Sequence, residues 1–282
     1  MELGIGTYTY GWAVDAGQPF DEHTLIGLAR SMQLSLIQVG DNLPLHRFAP
    51  ERLGAFKDEL GRQGIRIEIG ARGLTAEHLK LYIELCGEMG SRLLRFVIDE
   101  DGYRPSVEVV TAIIRSQLDG LQRNNLLLAI ENHDRFKVRQ LEAIIKAVDS
   151  PNVGICLDTV NSLGAGEGID TVIEVLAPYT VNLHLKDFGI RRPPNKQGFI
   201  VEGRIAGEGQ LDISLLLEKV GSSGRCNTGV LEQWVPFEED AAQTIARERD
   251  WAERGIGNLK KIIYDKNFAG WSRRQNGVQA DG

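Results

Sequence analysis

With 282 residues, 42% of them hydrophobic and 25% charged, the chain has enough material for one large buried core, and single α/β barrels commonly run to about 250 residues. A formal charge of −7 gives no electrostatic footprint for nucleic acid or an anionic membrane, and no apolar run approaches the roughly 20 residues of a membrane span. Three scattered cysteines (Cys86, Cys156, Cys226) form no C-x-x-C pattern, and the start "MELGIGTYTYGW" lacks a basic and a long apolar segment, which argues against export and for reduced thiols in the cytoplasm.

Short β-branched or Leu-rich runs fall at 3–7, 35–39, 66–69, 93–98, 126–131, 154–157, 181–186 and 229–232. Amphipathic helical patterns separate them at 21–32, 50–63, 75–89, 106–123, 138–148, 169–177 and 212–221, with a last one near 240–264. Asp21 and Thr75 read as N-caps, Gly64 and Gly90 as helix stops. Strands separated by single helices imply parallel pairing through crossovers, so the expected fold is α/β, a single-domain (β/α)8 TIM barrel over 1–264. A doubly wound open sheet would show a Gly-rich first βα turn, and "GIGTYTYGW" does not read G-x-G-x-x-G. Two βα connections are long, 7–20 and 187–211, and long loops on that face of a barrel shape a site. The polar segment 265–282 reads as a tail, or as an arm whose Phe268 and Trp271 pack on a second copy, which leaves a homo-oligomer open.

In a parallel barrel the carboxyl ends of the strands converge on one mouth. Four consecutive strand candidates place Glu131, Asp158, His184 and Glu232 at that end. Each alone is weak: a carboxylate closing a strand is often a helix cap, and a histidine in an apolar run such as "TVNLHL" is more often packed core. Together they form an oxygen-rich set that suits one divalent ion, Mn²⁺ first, with Mg²⁺, Co²⁺ and Zn²⁺ open. A divalent ion bound to a carbonyl and its neighbouring hydroxyl stabilises an enediolate and acidifies the C–H between them.

The segments "ENH" at 131–133, "CLDTVNS" at 156–162, "HLKD" at 184–187, "GRIAGEG" at 203–209 and "LEQW" at 231–234 give the chain its resemblance to the xylose isomerase-like barrel superfamily of sugar isomerases, epimerases and dehydratases. The resemblance implies that Glu131, Asp158, His184 and Glu232 bind the metal, that Glu131 and Glu232 shuttle a substrate proton, and that Arg204 grips substrate oxygens. Two positions depart from the ketose epimerase pattern: Asn161 replaces a histidine, and Lys137 replaces a glutamate. With Lys186 and Arg204, Lys137 makes the expected mouth cationic, which suits a carboxylate or phosphate better than a neutral sugar. Arg191 and Arg192 read as surface residues, and a solvated place at the start of the fifth helix is the competing role for Lys137. A plain ion pair with Asp187 is the competing role for Lys186. His133 is expected to orient Glu131 or to touch substrate. The expected substrate-facing set is thus His133, Lys137, Asn161, Lys186 and Arg204, with Tyr8, Tyr10, Trp12, Phe188 and Trp234 as candidate pocket walls.

A metal-dependent isomerase or epimerase of a keto-sugar or sugar acid, working through an enediolate, is the first functional expectation. A lyase on the same scaffold is the alternative, decarboxylating a 3-oxo sugar acid of the 3-oxo-isoapionate type or dehydrating a keto-polyol. A repair endonuclease of this superfamily needs a histidine-rich zinc site and a basic surface, against which five histidines and a negative charge count. The expected partner is a small sugar or sugar acid, with neither nucleic acid nor membrane.

Overall fold

The computed structural model describes residues 1–16 and 20–265, so the expectation for Phe268 and Trp271 concerns residues outside the described range. Seven strands run in chain order: β1 Glu2–Gly6, β2 Leu36–Val39, β3 Arg66–Arg72, β4 Leu93–Val97, β5 Leu127–Glu131, β6 Val153–Asp158 and β7 Thr180–Leu185. A hairpin, β8 Asp187–Arg191 and β9 Ile200–Arg204, precedes the last barrel strand, β10 Thr228–Leu231. The barrel closes in the order β1-β10-β7-β6-β5-β4-β3-β2, with parallel pairing throughout. The registers pair Asp158 with His184 and His184 with Val230, which sets the carboxyl ends of β6, β7 and β10 level.

Local chemistry agrees with the expected boundaries. Asp21 Oδ1 accepts the Thr24 N–H at 2.8 Å and Thr75 Oγ1 accepts the His78 N–H at 3.1 Å, each satisfying an orphan donor of a helix start. Gly64 and Gly90 end helices Pro50–Gln63 and Ala76–Met89 in the left-handed region, at φ 63° and 76°. Strand residues turned towards the helices, such as Leu94, Phe96, Leu128, Ile130, Ile155 and Leu157, are fully buried, and each side chain contributes about 1.5–3 kcal/mol by leaving water. All three cysteines are free and buried. Among the described residues no helix is long and apolar enough to cross a membrane.

Two expectations need correction. The segment 106–123 is not one helix but two, Val107–Ser116 and Leu118–Arg123, because Gln117 leaves helical geometry (φ −111°, ψ 5°) and the chain re-enters a helix that buries Leu121. The connection 187–211 is not a plain loop but carries the antiparallel β8–β9 hairpin. Asp187 pins its base by accepting the backbone N–H groups of Phe188, Gly207, Gly209 and Leu211 at 2.8–3.1 Å. This explains a glycine of the "GRIAGEG" segment: a Cβ on Gly209 would lie 2.1 Å from Asp187 Oδ1. Gly209→Ala is therefore expected to destabilise the fold by roughly 1–3 kcal/mol through that forced contact. Chemical denaturation checks this, and an unchanged midpoint contradicts it.

Candidate active site

Three carboxylates and one imidazole converge at the carboxyl ends of β5, β6, β7 and β10. Glu131 closes β5, Asp158 closes β6, His184 lies in β7, and Glu232 stands one residue beyond β10; all four are at most 3% exposed. His184 Nδ1 is 3.2 Å from Glu232 Oε1, 3.5 Å from Glu131 Oε2 and 3.9 Å from Asp158 Oδ2. Ligand atoms of Asp158, His184 and Glu232 lie within 4.8 Å of one another, as do those of Glu131, Cys156 and His184. The Cys156 thiol has its pKa pushed well up by burial and donates to Asn182 Oδ1 at 3.2 Å, so it is a poor ligand beside the oxygen donors.

The surroundings hold these groups in place. Asp158 Oδ1 accepts the backbone N–H groups of Val160 and Asn161, both at 2.8 Å, which turns Oδ2 towards His184. The Asn161 side chain donates to Glu131 Oε1 at 2.8 Å and leaves Oε2 facing the ring. Asn132 ties β5 to β6 by donating to the Asp158 carbonyl at 2.8 Å and accepting the Asp158 N–H at 2.7 Å.

Two cations, the buried Arg95 and the partly exposed Lys186, neutralise part of this charge. Lys186 Nζ lies 2.8 Å from both Asp158 Oδ2 and Glu232 Oε2 and donates to Asn161 Oδ1 at 3.3 Å. Arg95, from the middle of β4, places Nε 2.7 Å from Glu131 Oε2, donates from Nη1 to Asp41 Oδ1 at 2.9 Å, and lies 3.9 Å from Glu232 Oε1. Burial pushes the Glu131 carboxyl upward, yet Arg95 and His184 more than offset it and hold it below the usual carboxylate range. Burial likewise opposes ionisation of Glu232, but His184 and Lys186 hold its pKa down. At Asp158 burial wins over Lys186 and the pKa rises. Glu131 Oε2 and Asp158 Oδ2 are held by ion pairing, to Arg95 Nε at 2.7 Å and Lys186 Nζ at 2.8 Å, rather than by well-aligned hydrogen bonds, and His184 Nδ1 faces carboxylate oxygens without one.

The model of the xylose isomerase-like TIM barrel family matches residues 47–261. The chain belongs to that family. Among curated proteins it is 29% identical to the 3-oxo-isoapionate decarboxylase of Pectobacterium atrosepticum, over 92% of this chain and 95% of that protein. The D-psicose 3-epimerase of Clostridium cellulolyticum, solved with D-tagatose, superposes with a TM-score of 0.68 at 15% identity, over 93% of this chain and 99% of that one. A xylose isomerase-like TIM barrel protein from Mycobacterium smegmatis, solved with magnesium, superposes with a TM-score of 0.67 at 13% identity, over 91% of this chain and 96% of that one.

On this xylose isomerase-like barrel the expected substrate-facing residues divide. Asn161 and Lys186 touch the carboxylate set directly. Lys186 is not paired with Asp187, whose oxygens are taken by backbone amides. His133 does not orient Glu131; it lies 3.3 Å from Asp134 and 3.4 Å from Arg72, on a cavity of about 720 Å³ that Tyr8, Arg72, Arg104 and Arg135 also line. Lys137 is exposed at the start of helix Val138–Val148 and donates to the Ala165 carbonyl. Arg204, on β9, donates to Glu202 Oε1 at 2.6 Å and to the Gly203 carbonyl at 2.8 Å. The hairpin has drawn it into its own ion pairs, which Arg191 shares at 2.9 Å. The cations beside the carboxylate set are thus Lys186 and two residues that spacing did not single out, Arg95 and, through Asp41, Arg72, rather than Lys137 and Arg204, and all three are paired with carboxylates. Trp12 and Trp234 line a second cavity, about 660 Å³, that also reaches Asn161. Tyr10 and Phe188 are core residues instead.

Proposed function

We propose that this chain is a divalent-metal-dependent enzyme of sugar chemistry and that its reaction is decarboxylation of a 3-oxo sugar acid. The observation that carries the reading is the Lys186 ammonium, fixed 2.8 Å from Asp158 and from Glu232 at the edge of the four-residue set. A cation there meets both an anionic substrate group and the charge that develops when a carboxylate departs. The likeness to a decarboxylase over nearly the whole of both chains supports the same reading. So does Asn161, standing where ketose epimerases carry a histidine, with its amide committed to Glu131 and Lys186.

The residues present fit a divalent ion. Glu131 Oε2, Asp158 Oδ2 and His184 Nδ1 converge and are buried, and none makes a well-aligned hydrogen bond, although Arg95 and Lys186 ion-pair with the two carboxylates. Carboxylates with one imidazole suit Mn²⁺ or Mg²⁺. When bound, the ion supplies Lewis-acid polarisation of a substrate carbonyl. The chain does the rest. Asn161 and the amides of Val160 and Asn161 aim the carboxylates, Lys186 meets the substrate's negative charge, and Trp12 and Trp234 wall the adjoining cavity. In the reaction the bond to the carboxylate carbon breaks, CO₂ leaves, its electron pair moves onto the neighbouring ketone oxygen, and one proton returns to carbon.

A metal-dependent epimerase is the second reading, favoured by the pairing of Glu131 and Glu232 at one centre and by the structural likeness to a ketose epimerase. Incubation with ¹³C-carboxyl-labelled 3-oxo-isoapionate and with a ketose panel, in D₂O with Mg²⁺, separates the two by NMR. The expected result is CO₂ equal to the acid consumed, with one deuterium in the product. Deuterium exchange into a ketose without CO₂ release contradicts it.

A further inference from the structure

Beneath the mouth the barrel interior is polar where a packed apolar core is usual. Gln38 on β2, Glu68 on β3, Asn182 on β7 and Thr228 on β10 are all buried there. The His184 ring meets the Gln38 side chain across the lumen, between strands that are not neighbours, with Nε2 2.7 Å from Gln38 Oε1. The other end of the Gln38 amide is fixed just as firmly. Its Nε2 donates to Glu68 Oε2 at 3.1 Å and to Asn182 Oδ1 at 3.3 Å, both of them acceptors. Asn182 is oriented in turn, because its Nδ2 donates to Glu68 Oε2 at 3.1 Å and to Thr228 Oγ1 at 2.8 Å, and its Oδ1 also accepts the Cys156 thiol.

This chain of donors leaves one arrangement free of like-to-like contacts. Glu68 Oε2 accepts from both amides, so Gln38 must turn its NH₂ towards Glu68 and its oxygen towards His184. A Gln38 flip would set an NH₂ group against the His184 N–H and leave the buried Glu68 Oε2 short of a donor. Nε2 therefore keeps its N–H, and Nδ1, which faces Glu232 at 3.2 Å and Glu131 at 3.5 Å, is the nitrogen open to a metal in place of a proton.

We infer that Gln38, locked by Glu68 and Asn182, is the positioning residue that fixes the His184 tautomer and ring orientation for metal binding. The inference rests on the metal reading above and extends it to residues on the far side of the lumen. Outer partners of this kind change metal affinity by roughly 10–100-fold in other sites.

The test uses the full chain and Mn²⁺ or Zn²⁺ alone, with no substrate. Gln38→Leu is expected to weaken Mn²⁺ binding in calorimetry by about 10-fold or more. Long-range ¹H–¹⁵N spectra of the Zn²⁺-loaded wild type, assigned with His184→Gln, are expected to show the His184 proton on Nε2. That measurement stands even if Gln38→Leu fails to fold. Equal Mn²⁺ affinity in folded wild type and Gln38→Leu overturns the inference, and so does a His184 proton on Nδ1. A flat titration of the wild type instead overturns the metal reading and this inference with it.

Discussion

Glu232→Gln is expected to lower turnover by roughly 10²–10⁴-fold while the protein stays folded. Glu232 holds two positions at once: Oε1 faces His184 Nδ1 at 3.2 Å, and Oε2 pairs with Lys186 at 2.8 Å. The amide removes the charge from both. It leaves Lys186 with Asp158 as its one carboxylate partner and replaces an anionic ligand of the proposed metal set by a neutral one. Because the side chain is close in shape and the barrel core is untouched, circular dichroism and the denaturation midpoint should change little. Steady-state rates at saturating Mg²⁺ check the prediction, and activity within a few-fold of wild type contradicts it.

Arg95→Met carries the largest stability effect, a loss of about 3–5 kcal/mol. The guanidinium is 2% exposed and lies against Glu131, Asp41 and, more distantly, Glu232. Burial opposes its charge, but these carboxylates outweigh burial and keep it firmly protonated. Methionine fills similar volume yet leaves the Glu131 and Asp41 charges facing a low-dielectric lumen with fewer partners. Asp41 keeps Arg72 at 3.2 Å and the Tyr8 hydroxyl at 2.8 Å, so the uncompensated charge falls mainly on Glu131. Urea denaturation checks this; a midpoint equal to wild type would mean that Glu131 is not balanced by Arg95.

The barrel was legible because its signals are local and repeated. Apolar runs bounded by Asp21, Thr75, Gly64 and Gly90 mark elements whatever the tertiary contacts, and the caps form as the residue types require. Glu131, Asp158, His184 and Glu232 could be grouped because a parallel barrel sends every strand's carboxyl end to one mouth. Lys137 and Arg204 show where such reasoning stops. Whether a cation meets the site or a nearer partner depends on backbone paths, here the 161–168 turn and the β8–β9 hairpin, that spacing does not reveal.

The residues passed over did leave a trace. Gln38 in "LIQV", Glu68 in "RIEIG", Arg95 in "LLRFV" and Asn182 in "TVNLHL" each put a strongly polar group inside a strand of a fully parallel sheet. Such strands are covered on both faces, so an interior polar residue must find a partner in the lumen. Gly70 adds a quieter sign: a Cβ there would crowd Gly40 at 3.2 Å and the Arg95 guanidinium at 3.5 Å. Which partner each group finds across the barrel is a long-range fact, as the contact between β2 and β7 illustrates.

Calorimetric titration of the metal-free chain with Mn²⁺, repeated on Asp158→Asn and His184→Gln, tests the central claim most directly. The account predicts one site per chain in the wild type and its loss, or a weakening of at least about 100-fold, in both variants. Binding of equal stoichiometry and affinity in wild type and variants would place the ion elsewhere and contradict it.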